Sequence, residues 1–147
     1  MGGKIRIELP GSFPFRTEIP VRITDLNYGG HVGNDRVLGL LHEARVRFLA
    51  SMGYSEQDVE GAGIIMAGSA IRYVSEIHYP ATLRAEVAAG NFTASGCDIL
   101  YRLADAVNGK ERVRARTAIV FYNYTLKKVC RMPEKFRERI IRQNTEI

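Results

Sequence analysis

The chain has 147 residues, of which 46% are hydrophobic and 25% charged, with a net charge of +5. One domain of this size buries roughly 70% of its unfolded surface, so residues 1–147 are read as a single domain that needs no disulfide or metal to hold it. No apolar run approaches the ~20 residues of a membrane span, and the opening Met1-Gly-Gly-Lys-Ile-Arg6 lacks both the apolar core of a signal peptide and the Ser or Thr of a myristoylation motif.

From Phe15 to Thr24 the chain alternates, with Thr17, Ile19, Val21 and Ile23 on one face and Arg16, Glu18 and Arg22 on the other. That pattern predicts a half-buried strand, and Pro20 puts it at an edge or a bulge. From Asn34 to about Met52 the period becomes helical: Val37, Leu41, Ala44, Phe48 and Met52 recur at i+4 and i+3 spacing, flanked by Leu38 and Leu40. Asn34 is expected as the N-cap and Gly53 as the C-terminal stop of a helix about 27 Å long. Four strands are expected next, over Ile64–Ile77, Thr82–Gly90, Phe92–Ala104 and Lys110–Tyr124, with Gly90-Asn91 and Asn108-Gly109 marking hairpins. Pro133 then opens a short helix with Phe136, Ile140 and Ile141 on one side. The economical assembly is an α+β fold in which one antiparallel sheet of about five strands curls around a long central helix, because that covers the helix's wide apolar arc and one face of every strand.

Between the first strand and the helix runs Arg22-Ile-Thr-Asp25-Leu-Asn27-Tyr-Gly29-Gly30-His31-Val-Gly-Asn34-Asp35. It reads as a strand end, a glycine turn and a helix start whose unpaired N–H groups and partial positive charge suit a carbonyl or an anion. Asp25 and Asn27 are two apart and leave one face of an extended strand; Asp25 either activates water or fixes the turn and pairs with Arg22. Asp35 is a second candidate acid or simply a favourable charge in the first helical turn. His31 is a candidate base with an unperturbed pKa near working pH, or a packing residue of the turn. Glu43 either pairs with Arg47 at i+4 or faces a cleft, and Arg45, inside the apolar arc, is expected to snorkel or to be ion-paired. Arg112, Arg114 and Arg116 alternate along one strand face, as phosphate contacts or as a solvated surface; no aromatics interleave with them, which argues against nucleic acid. Cys97 and Cys130 form no framework, and reduced thiols without a leader point to the cytoplasm. There is no G-x-S-x-G elbow or phosphate loop, and the histidines have no metal-ligand spacing.

A strand, a D-x-D-x-x-G-H-V-N-N turn, a long helix carrying E-x-A-R and four further strands make a layout that resembles the hotdog-fold acyl-CoA thioesterases, in particular the 4-hydroxybenzoyl-CoA thioesterase-like branch. The resemblance covers roughly residues 14 to 140 and rests on Asp25, Gly30, His31, Val32, Asn34, Glu43, Ala44 and Arg45, with Tyr73 matching a tyrosine usual in the second strand. It implies hydrolysis of an acyl or aroyl thioester, with the thioester carbonyl held by backbone N–H groups near Gly30 and Asn34. No cofactor is implied beyond the coenzyme A of the substrate, whose phosphates the basic stripe could meet; an acyl-carrier thioester is an equal alternative. A homodimer or homotetramer is implied too.

Three positions depart from the pattern: Asn27 replaces the second aspartate, Gly33 the first asparagine, and Pro80-Ala81 the Gly-Asp pair before the third strand. In the family the missing aspartate attacks the thioester or activates water; the Asn27 amide can orient a water or a carbonyl but cannot accept a proton at neutral pH. A non-hydrolytic thioester-binding protein is therefore a second expectation, and a hydratase or dehydratase pairing His31 with Glu43 a third.

Overall fold

A computed structural model describes residues 4–146; the absence of a leader read at Met1-Gly-Gly lies partly outside them. The elements are β1 (Phe15–Pro20), a 3-10 turn (Ile23–Asp25), α1 (Asn34–Ser51), β2 (Gly63–Tyr73), β3 (Thr82–Gly90), β4 (Gly96–Asp105), β5 (Glu111–Asn123), β6 (Lys128–Val129) and α2 (Glu134–Thr145). The sheet runs β1-β3-β4-β5-β2, with the two-residue β6 added at one end of β5, and every pairing is antiparallel. A curled sheet about one long helix is the hotdog architecture that the resemblance implied.

Alternation makes the sheet one-sided. Along β5, Val113, Ala115, Thr117, Ile119 and Phe121 are buried while their neighbours are half-buried. The inward rows of β3 and β4 meet Leu41, Ala44, Phe48 and Leu49 of α1 in one core, where a fully buried Leu or Phe contributes roughly 1.5–3 kcal/mol. The helix closes at Gly53, where φ is +80°. There the Gly53 N–H donates to the Ala50 carbonyl and the Tyr54 N–H to the Leu49 carbonyl, both at 2.9 Å, which satisfies two end carbonyls.

Several expected boundaries move. The first strand ends at Pro20, and Asp25 then folds back to accept the Arg22 N–H at 2.9 Å, so Ile23 leaves the inward row and is 63% exposed. The second ends at Tyr73 because the N–H groups of Val74 and Ser75 both turn to the Arg112 carbonyl. Phe92 to Ser95 form a turn rather than a strand, closed by Thr93 Oγ1 accepting the Gly96 N–H at 3.0 Å. The N-cap of α1 is Gly33, with Asn34 as the first helical residue. On α2, Phe136 and Ile140 are buried, whereas Ile141 lies a further 100° around the helix and is exposed. No helix among the described residues is long and apolar enough to cross a membrane.

Arg45 is the polar exception in the core. It is 6% exposed, with Nε donating to Glu56 Oε2 at 2.8 Å and Nη1 to the Tyr101 hydroxyl at 3.1 Å. The Tyr101 hydroxyl lies 2.7 Å from Thr117 Oγ1, and His42 Nε2 lies 2.8 Å from Glu56 Oε1. Burial works to raise the Glu56 carboxyl, but the hydrogen bonds from Arg45 and His42 outweigh it and hold the group below its ordinary value of 4.5. A depressed carboxylate stabilises the fold above the unfolded value and loses that contribution as pH falls. The melting temperature is therefore expected to drop as pH is lowered below 4.5, and Glu56→Gln to flatten that part of the profile. Arg45→Ala, which strands Glu56 and opens a core site, is expected to cost about 3 kcal/mol in urea unfolding.

Candidate functional site

The turn before α1 is built almost entirely from backbone bonds. Leu26 and Val32 pair as an isolated antiparallel bridge; within it the Asn27 N–H donates to the His31 carbonyl at 2.8 Å and the Gly30 N–H to the Asn27 carbonyl at 3.1 Å. The Asn27 side-chain oxygen accepts the Gly29 N–H at 2.8 Å, an Asx turn that an amide makes as well as a carboxylate does. Gly30 has φ +84°, a left-handed conformation that favours glycine. The Gly33 N–H donates to the Asp25 carbonyl at 3.1 Å and the Val32 N–H to the Ile77 carbonyl at 2.9 Å, which fixes the turn on both flanks.

The glycine at position 33 has a steric reason. A Cβ there would stand 2.5 Å from Asp35 Oδ1 and 3.5 Å from Asn27 Cβ. Asp35 thus folds back from the first turn of α1 into the space that an asparagine would fill, and it converges with Asn27 on the same glycine. Gly33 has no side chain to cap the helix. The leading N–H groups at Asn34 and Asp35 have no intrahelical acceptor and carry the positive end of the helix dipole.

Two clefts flank this turn, and they divide the residues expected from the sequence. The first, about 340 Å³, is lined by His31, Val32, Asn34 and Val37 on one side and by Tyr73, Val74, Ser75, Glu76 and Ile77 on the other, with Val113 also contributing. The second, about 220 Å³, holds Asp25 and Glu43 with Arg22, Arg36 and Arg47 over Ile19, Pro20 and Leu40. His31, Asn34 and Tyr73 therefore meet at the helix start, whereas Asp25 and Glu43 meet elsewhere. Glu43 is held by Arg47 at 2.8 Å, and Arg47 also donates to Thr17 Oγ1 and the Glu18 carbonyl of β1.

Arg112, Arg114 and Arg116 lie on the outer face of β5 and line neither cleft. Arg112 reaches Asp105 at 3.7 Å and donates to Ser75 Oγ; Arg114 donates to Glu111 at 2.9 Å and to the Ile7 carbonyl at 3.4 Å. The N-terminal segment crosses this face, with Ile7 buried and Phe13 beneath the Arg102 guanidinium. The stripe is thus partly covered by the chain's own start rather than bare to solvent. Cys97 and Cys130 are both free thiols, and burial pushes the Cys97 thiol up to about 12, which makes it inert at neutral pH.

One residue of the first cleft escaped the sequence reading. Glu76 Oε1 lies 3.7 Å from His31 Nε2, and its Oε2 lies 3.6 Å from His78 Nε2. Its only local signal is that Glu76 and His78 flank the buried Ile77. Among the described residues no group of three His, Cys, Asp or Glu is placed to hold a metal ion.

Residues 21–140 match the family model of the thioesterase-like superfamily. The chain belongs to that superfamily. No match emerges among curated proteins. Among solved structures, this thioesterase-like protein is similar to a 1,4-dihydroxy-2-naphthoyl-CoA thioesterase from Synechocystis, at 21% identity over 86% of this chain and 95% of that one, with a TM-score of 0.78. It is also similar to a thioesterase from Thermus thermophilus complexed with coenzyme A and Zn, at 24% identity over 91% and 97% of the two chains and a TM-score of 0.78. A third relative is the DHNA-CoA thioesterase from Staphylococcus aureus, at 16% identity over 89% and 88% and a TM-score of 0.75.

In this thioesterase-like protein Asp25 serves the turn through both its carbonyl and its carboxylate. Asp25→Ala is expected to lower the unfolding free energy by about 1 kcal/mol through the lost hydrogen bond. Asp25→Asn, which keeps an oxygen acceptor, is expected to cost less than half of that in the same urea titration.

Proposed function

We propose that this protein is an acyl-CoA thioesterase that hydrolyses an acyl or aroyl thioester to free acid and thiol. The observation that carries the reading is the start of α1, uncapped by any side chain, opening into the 340 Å³ cleft beside His31. A thioester carbonyl placed there would meet the leading N–H groups, which favour the oxyanion of a tetrahedral intermediate over the neutral carbonyl; one such donor is typically worth ~3 kcal/mol. Val37, Val74, Ile77 and Val113 give the acyl group an apolar wall. The relatives support the substrate class, since one acts on 1,4-dihydroxy-2-naphthoyl-CoA, another on DHNA-CoA, and a third was solved with coenzyme A. Coenzyme A enters as part of the substrate, an acyl-carrier thioester would present the same carbonyl, and the reaction asks for no further cofactor.

The sheet offers a surface for assembly. β2 forms an edge of the sheet, and its residues from Ala67 to Ser69 are exposed; an open edge of that length invites pairing with another copy. A homodimer through β2, or a homotetramer of such dimers, is the proposed working form, in the cytoplasm where free thiols persist.

Release of free thiol from a panel of short, long and aromatic acyl-CoAs is expected to exceed background for at least one class. No turnover across the whole panel would overturn the reading. The second reading, a thioester-binding protein without hydrolysis, is favoured by one observation, the Asn27 side chain tied into the turn with no carboxylate to act as base. Asn27→Asp separates the two. A gain of a hundredfold or more, roughly the worth of a general base, would mark the natural protein as silenced, whereas a working thioesterase is expected to change by less than about tenfold.

A further inference from the structure

If the protein is a hydrolase, the base missing at Asn27 must come from another group, and the geometry points to His31 as the base that activates the hydrolytic water and to Glu76 as the residue that positions and polarises it. This rests on the thioesterase reading and goes beyond it by naming the base and its partner. His31 is half-buried in the cleft wall at the helix start. Its Nδ1 lies 3.4 Å from the Val32 carbonyl, so a proton on Nδ1 faces an acceptor and Nε2 is left bare on the side of Glu76. Glu76 Oε1 stands 3.7 Å from that nitrogen, while Oε2 stands 3.6 Å from His78 Nε2, so the carboxylate is flanked by two imidazoles.

The step balances without a co-reactant. His31 Nε2 takes a proton from water as the water oxygen bonds to the thioester carbon, and the carbonyl electrons move to an oxyanion against the N–H groups at the start of α1. Collapse of that intermediate breaks the C–S bond, and the leaving sulfur takes the proton back from the imidazolium. Between those two events the imidazolium is the cation that Glu76 stabilises. In open solvent a pair so exposed contributes little, but a bound acyl group displaces water from the cleft and strengthens it.

The titratable groups that share the cleft with the imidazole are Glu76 and Tyr73, with His78 on the far side of Glu76. Of these, Glu76 is the carboxylate that pairs with Nε2, so its charge is the one whose removal reaches the base.

The test is steady-state hydrolysis of the best acyl-CoA of the panel by the wild type, His31→Gln, Glu76→Gln and His78→Gln, each checked by thermal melt. His31→Gln is expected to lower kcat/KM by about a hundredfold or more, the usual worth of a general base. Glu76→Gln is expected to lower kcat about tenfold while KM stays within about twofold, because the lost anion served the imidazolium formed during the reaction and not the bound substrate. His78→Gln is expected to change kcat/KM less than about threefold. A wild type that turns over while Glu76→Gln leaves kcat unchanged overturns the role of Glu76 alone. Full activity in His31→Gln overturns the base. A wild type with no turnover on any thioester overturns the thioesterase reading, and this inference falls with it.

Discussion

The hydrogen bond from the Val32 N–H to the Ile77 carbonyl ties the turn before α1 to the connection between β2 and β3. Forty-five residues separate the two, and neither segment is regular structure. Because of that bond, His31 and Glu76, each one residue before a bonded one, stand on facing walls of a single cleft. The same turn is held from the other side by Gly33 on the Asp25 carbonyl, so the start of α1 has little freedom to tilt. A helix end can favour developing charge only if it stays where the charge develops, and these two bonds supply that rigidity.

The molecule keeps its polar groups in separate compartments. Inside, Arg45, Glu56, Tyr101 and Thr117 form a chain of bonds in which each charged or hydroxyl group has a partner, as burial requires. On the outer face of the sheet Arg102, Arg112 and Arg114 meet Glu86, Asp105 and Glu111, while the buried Nε of Arg84 has no hydrogen-bond partner. At the first cleft the His31–Glu76 and His78–Glu76 distances are longer, 3.7 and 3.6 Å, and the groups are more open to water. Loosely engaged groups beside a fixed helix end are what a site needs if they are to exchange protons.

Much of the fold was legible along the chain because its signals are local. The 3.6-residue period of Val37, Leu41, Ala44 and Phe48 marked α1, Gly53 marked its end, and alternation on β5 separated the buried from the outer row. The boundaries that moved depend on side chains bonding to nearby backbone: Asp25 on Arg22, Thr93 on Gly96. Such bonds compete with the ladder at close range, and periodicity does not register them.

The site was legible in one half. Its turn, helix start, His31 and Tyr73 follow from residues that are neighbours in sequence or from their resemblance to a known pattern. Amino-acid order was enough to specify a one-sided sheet, a central helix and a glycine turn at its start, since each rests on spacing within a few residues. It could not show that Asp25 and Glu43 share one cleft while His31 shares another with Glu76, nor that Arg45 finds Glu56 and Tyr101. Those partnerships are set by how distant segments dock around a common core, and docking is a property of the whole sheet and not of any stretch within it. The question raised by Asn27 is therefore posed across the cleft, between His31 and Glu76, and not along the chain.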